Sequence, residues 1–174
     1  MSTSLQLIDV MRFLPHRPPF LFVDHASVDE SMERIRTVHT FQPDEPYFEG
    51  HFPGNPIVPG VVLIECMAQA CRLLLNVRAG EIVPGFLVGV ETGKFLSVVR
   101  PNETVSFDCR LERSFADAAG AAPAQPMYIF RCSASVGKIR CARAHINLYQ
   151  KQKAPTASAS ARLDEEAACV DAVY

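Results

Sequence analysis

Tryptophan is absent from this 174-residue chain, and no stretch interleaves aromatic with basic side chains as single-strand-binding surfaces do. Neither sign of charge is in excess. Seventeen basic side chains stand against 19 acidic ones, a formal net charge of -2, so no nucleic-acid partner held by phosphate neutralisation is expected. No apolar run is read as approaching the length of a membrane span, and no charged-then-apolar leader opens the chain. The six cysteines include no C-x-x-C pair, which argues against a close-spaced metal site and leaves them expected as reduced thiols in the cytoplasm. Several catalytic signatures are also missing. There is no G-x-S-x-G elbow and no Cys/His arrangement, and Gly85, Gly89 and Gly93 lack the Lys-Ser/Thr ending of a phosphate loop.

What is present reads as one domain over residues 1–153, followed by an Ala-, Ser- and acid-rich tail, 154–174, expected to be poorly ordered. Ser4 could cap a short helix over 5–14, ended by Pro15, Pro18 and Pro19. Residues 20–23 and 33–41 read as strands. A long helix is expected over 60–76. Its polar residues, Glu65, Gln69, Arg72 and Asn76, form one narrow stripe, and every other position is apolar or small. A helix apolar almost all round is buried almost all round.

The second half alternates with period two. A long bent strand is expected over 86–99, with Gly89 and Gly93 permitting bulges, and a further strand over 104–112. Residues 128–136 and 139–149 read as a hairpin about Gly137-Lys138, after an Ala/Gly/Pro loop at 116–126. Fold class is therefore α+β: one helix on one face of a curved antiparallel sheet.

The chemistry concentrates in two side chains. His51 stands in a loop stiffened by Pro53, Pro56 and Pro59. A loop histidine is ordinarily hydrogen-bonded to backbone or solvated. One held still near neutral pH can also act as a base. Glu65 follows fourteen positions later inside the apolar helix, where burial would favour its protonated form and suit it to act as an acid. Gln69, one turn on, could hold a hydroxyl or water beside Glu65. Pro59-Gly60 opens the helix, so the amides of Gly60 and Val61 could polarise a carbonyl. Base, acid and polarising amides together suit loss of water from a 3-hydroxyacyl thioester.

Residues 14–24 (LPHRPPFLFVD), 50–61 (GHFPGNPIVPGV) with 65–70 (ECMAQA), and 94–95 (KF) with 99–103 (VRPNE) resemble the corresponding segments of the FabZ-type 3-hydroxyacyl-[acyl-carrier-protein] dehydratases. The resemblance covers roughly residues 5–150. It implies a hot-dog fold, with the long helix inside the sheet, and a homodimer, open to assembly as a trimer of dimers, whose sites lie between subunits. His51 from one chain would take the C2 proton, Glu65 from the other would protonate the departing hydroxyl, and Gly60, helped by Val61, would polarise the thioester. Glu65, where the related dehydratase–isomerase has Asp, favours simple dehydration of (3R)-3-hydroxyacyl to trans-2-enoyl chains in fatty-acid, polyketide or polyene synthesis. No cofactor is implied beyond the phosphopantetheine arm of the acyl-carrier protein. Arg17, Arg72, Arg78, Lys94 and Arg100 are candidates for a basic rim facing that acidic partner. The alternatives are a hot-dog thioesterase and a non-catalytic carrier-binding module.

Overall fold

Among the described residues, seven strands form a single sheet around one long helix. The structure, a computed structural model, describes residues 6–115 and 127–151. In chain order the elements are β1 (Gln6–Leu7), α1 (Val10–Phe13), β2 (His25–Val28), β3 (Arg34–Thr40), a 3-10 turn (Pro46–Glu49), α2 (Gly60–Ala79), β4 (Gly85–Phe95), β5 (Thr104–Ser114), β6 (Met127–Val136) and β7 (Ile139–Gln150). All strand pairs are antiparallel, in the order β1-β2-β3-β5-β6-β7-β4. This is the hot-dog architecture: a curved antiparallel sheet wrapped around a central helix.

The alternation in the sequence explains the wrap. On β5, Val105, Phe107 and Cys109 point inward; on β6, Phe130, Cys132 and Ala134 do; on β7, Ala142, Ala144, Ile146 and Leu148 do; all are buried. They close on Leu63, Cys66, Met67, Ala70, Cys71, Leu73 and Leu74 of α2, which are equally buried. Burying such a stripe on a sheet is the main stabilising term of the fold. Gly80, with φ of 75°, ends α2 in the left-handed conformation that glycine favours. The bulges expected near Gly89 and Gly93 are present as register shifts between Leu87 and Gly89 and between Glu91 and Lys94.

Three expectations are corrected. The helix over 5–14 is instead a two-residue strand and a four-residue helix, capped by Asp9, whose carboxylate accepts from the Arg12 amide at 3.2 Å. Sheet pairing takes the first part: Gln6 and Leu7 register against Val28 and Ser27. Residues 20–23 are not a strand, and the second strand of the sheet lies later, at His25–Val28. Their backbone groups are taken by a side-chain amide, described below, in place of a neighbouring strand. Finally, α2 has 20 residues with a mean hydropathy of 1.5 over its most apolar window, so by length and composition it could cross a membrane, contrary to the reading that no run approaches that length. Here 67% of that window is buried by the sheet. The 116–126 loop and the 154–174 tail lie outside the described residues.

Candidate active site

The loop carrying His51 is fixed at both ends. The His51 amide donates to the Tyr47 carbonyl at 2.9 Å, and the His51 carbonyl accepts from Ile57 at 3.0 Å. Val58 donates to the Val99 carbonyl at 2.8 Å, and Arg100 donates to the Asn55 side-chain oxygen at 3.0 Å. The imidazole stacks on Phe52 with centroids 4.2 Å apart. Its Nδ1 lies 2.9 Å from the Ile57 carbonyl oxygen. A carbonyl can only accept, so Nδ1 carries a proton, and in the neutral ring the lone pair falls on Nε2. That is the state required of a base.

Glu65 is held from two sides. Gln69, 1% exposed, donates from Nε2 to Glu65 Oε1 at 2.9 Å and to the Phe20 carbonyl at 3.1 Å, while its Oε1 accepts from the Phe22 amide at 2.9 Å. One primary amide thus fastens residues 20–22 to α2 and orients the carboxylate. His16 approaches from the other side, with Nε2 3.8 Å from Glu65 Oε1. The Nδ1 atom of His16 is buried without a hydrogen-bond partner. Burial pushes the His16 imidazole below its ordinary pKa and nearby Arg72 adds to this, while Glu65 pulls the other way.

The polar stripe of α2 is therefore a seam against the N-terminal segment. Asn76 continues it, donating to the Phe13 carbonyl at 2.7 Å and accepting from the Val83 amide at 3.1 Å. Arg72 also lies in this seam at 6% exposure, which removes it from any solvent-facing basic rim. Of the other rim candidates, Arg17 is committed to the carbonyls of Met11, Leu14 and His16, Arg78 donates to Met32, and Lys94 is exposed.

The start of α2 opens on a recess of about 440 Å³ lined by Gly60, Val61, Leu63, Phe95, Leu96, Ser97 and Val98. The first helical amides have no intrahelical acceptor, although that of Val62 reaches the Pro59 carbonyl at 2.9 Å. Gly60 lies close under Phe95: a Cβ there would stand 2.8 Å from the ring, which would have to swing aside. The recess is almost wholly apolar apart from these amides and Ser97, and suits an acyl thioester.

Within one chain the structure joins Glu65, Gln69 and His16. Among the described residues, no hydrogen bond or ion pair joins His51 to Glu65. Sequence reading missed two features. His16 lies in the segment 14–24 without a chemical signal of its own, because its proximity to Glu65 depends on how residues 14–22 fold back. The thiols of Cys71, Cys109 and Cys132 converge within 4.8 Å of one another in the core, although they are far apart in sequence. Burial pushes Cys71 and Cys132 up, which keeps their sulfurs as thiols.

Residues 27–120 match the model of a family described as ApeI-like, ApeI dehydratase. A curated relative, the 3-hydroxyacyl-[acyl-carrier-protein] dehydratase FabZ of Salmonella arizonae, is 36% identical over 114 residues, which is 64% of this chain and 76% of that protein. Among solved structures, the dehydratase heterocomplex ApeI:P from Xenorhabdus doucetiae superposes with a TM-score of 0.65 at 19% identity, over 84% of this chain and 93% of that one. A phenylacetic acid degradation-related protein from Ralstonia eutropha, described as a thioesterase candidate, superposes at 0.52 with 14% identity over 70% and 80% of the two chains. At those identities the two structures bear on the fold alone.

Proposed function

The chain belongs to the ApeI-like dehydratase family and is related to the FabZ dehydratases, and on that premise we propose that it removes water from a (3R)-3-hydroxyacyl chain held as a thioester on an acyl-carrier protein. The observation that carries the reading is the tautomer of His51: Nδ1–H is committed to the Ile57 carbonyl and Nε2 is left basic. In the proposed step, His51 Nε2 takes the C2 proton. The electron pair forms the C2–C3 double bond, and the C3 hydroxyl leaves as water with a proton from Glu65. The Gly60 and Val61 amides stabilise the negative charge on the thioester oxygen as it develops. Gln69 holds Glu65 in line for the hydroxyl. The product is the trans-2-enoyl thioester.

The pair is assigned to two subunits of a homodimer. Supporting this, β4 ends the sheet with an edge unpaired among the described residues, and it exposes Phe86, Leu87, Val88 and Val90. Phe95, Leu96 and Val98 extend the apolar strip to the recess at α2. A second arrangement has β4 meeting a different chain, an assembly of unlike chains such as the name of the ApeI:P dehydratase heterocomplex describes, with this chain serving chiefly to bind the acyl carrier. Native mass measurement of the purified chain separates the two.

The deciding experiment incubates the chain with 3-hydroxyacyl-carrier substrates and follows loss of water by mass and gain of enoyl absorbance. We expect His51→Ala and Glu65→Ala each to lower turnover by about 10²–10⁴-fold. Undiminished turnover in both would remove the assignment. Free thiol release without enoyl absorbance would indicate the thioesterase alternative instead.

A further inference from the structure

The face of the sheet turned away from α2 is crowded with arginine. In register across β3, β5 and β6, Arg34 stands opposite Arg110, and Arg110 opposite Arg131. One row along, Arg36, Asp108, Ser133 and Arg143 align, and Arg140 stands opposite Ser135. Like charges directly opposed on neighbouring strands destabilise a sheet. Two carboxylates offset part of this. Asp108 pairs with both Arg34 and Arg36, and Glu112 pairs with Arg131 at 2.9 Å and His145 at 3.4 Å. Burial would raise the pKa of Asp108, but hydrogen bonds from the two guanidinium groups outweigh it and hold the carboxyl below its ordinary range. Arg110, Arg140 and Arg143 are exposed and have no ion pair among the described residues. The face encloses a recess of about 1100 Å³, lined by none of the residues assigned to dehydration.

The chain carries its own counter-charge. From residue 154 onward, Asp164, Glu165, Glu166 and Asp171 stand against the single basic Arg162. The chain leaves the sheet at the end of β7, the strand that contributes Arg140 and Arg143 to this face. Running back from Gln150 to Arg140 covers roughly 33 Å at the rise of a strand. The fourteen residues from Lys151 to Asp164 span up to roughly 50 Å when extended, length enough for the acidic cluster to reach the recess. Tethering presents it there at an effective concentration on the order of millimolar, enough to populate contacts that would be weak between separate molecules. Guanidinium–carboxylate pairing supplies the matching chemistry.

We propose that the acidic segment 164–171 of this chain docks on the arginine-lined outer face of its own sheet. The contact relieves the opposed charges across β3, β5 and β6 and covers the face against other anions. It is independent of the catalytic assignment.

Cys169 provides the probe. It lies inside the acidic segment, and the other five cysteines are buried, so a maleimide–benzophenone labels it selectively in the native full-length chain. Irradiation at low salt followed by peptide mass spectrometry is expected to place adducts on β5, β6 and β7. Their yield should fall several-fold at about 0.5 M salt, where such pairing is screened. It should fall equally in the Arg110→Gln/Arg143→Gln variant and in the Asp164→Asn/Glu165→Gln/Glu166→Gln variant, with thermal unfolding confirming that both are folded. Adducts on other elements, adducts between differently isotope-labelled copies, no adducts, or yields unchanged by both variants would overturn the proposal.

Discussion

Gln69 Nε2 donates to Glu65 Oε1 at 2.9 Å while the same side chain holds the backbone of Phe20 and Phe22. Orientation of the proposed acid and attachment of the N-terminal segment therefore depend on one amide. Gln69→Ala leaves the Phe22 amide without its acceptor in a buried place, a cost of about 1–3 kcal/mol. It also frees the carboxylate. We expect lower urea stability together with a fall in kcat on the order of 10²-fold and a smaller change in KM, since misplacement of a reacting group acts mainly on the chemical step. A variant that loses stability but keeps kcat would show that Gln69 serves the fold alone.

His16 gives a pH dependence of known sign. Its folded pKa lies below its ordinary value, chiefly through burial, with Arg72 adding to the shift and Glu65 opposing it. The unfolded chain then binds the proton more readily than the folded one. Stability must fall as pH drops through about 6.5, the unfolded value, and the loss levels off below the folded value. The urea midpoint of His16→Asn, compared with the parent at pH 7.5 and pH 5, should decline less. Equal declines in the two proteins would contradict this.

Gly85 is fixed by packing. A Cβ there would collide with the Tyr149 carbonyl oxygen and the Arg72 guanidinium. Arg72 is itself buried with one terminal nitrogen unpartnered and has little room to move. Gly85→Ala should cost about 1–3 kcal/mol by overpacking, read as a drop of several degrees in Tm. Gly50→Ala, where nothing lies within 4 Å of the added carbon, is the control and should leave Tm nearly unchanged.

The thiols should divide sharply. Cys66, Cys71, Cys109, Cys132 and Cys141 are all buried; burial pushes Cys66, Cys71 and Cys132 well up, while hydrogen bonds with Cys132 and Cys71 draw Cys109 down to about 6, so it is closure of the core against reagent that protects Cys109. Titration of the native chain with an aromatic disulfide reagent should release no more than one equivalent quickly. All six should react in denaturant. Rapid reaction of several native thiols would contradict the packing of α2 on the sheet.

Local pattern determined a great deal of this. Period-two alternation placed β5, β6 and β7 to within two residues at each end, and the apolar run after Pro59-Gly60 placed α2, three residues longer than expected. Those signals are legible because each element's burial repeats along its own sequence. Residues 6–7 and 20–23 were misread for the opposite reason. There the backbone partners are distant: β2 for residues 6–7, and the Gln69 side chain for residues 20–22.

By itself the sequence determined the residue types for acid–base work, the stiff loop around His51 and the apolar helix bearing Glu65. Only the tertiary structure decided which nitrogen of His51 is free, that His16 flanks Glu65, that Gln69 ties residues 20–22 to α2, that Arg72 is buried, and that arginines from three strands face one another in register. Side-chain type and periodicity are local properties. Tautomer, burial and cross-strand opposition arise from partners far away in the chain, and folding alone brings those partners together.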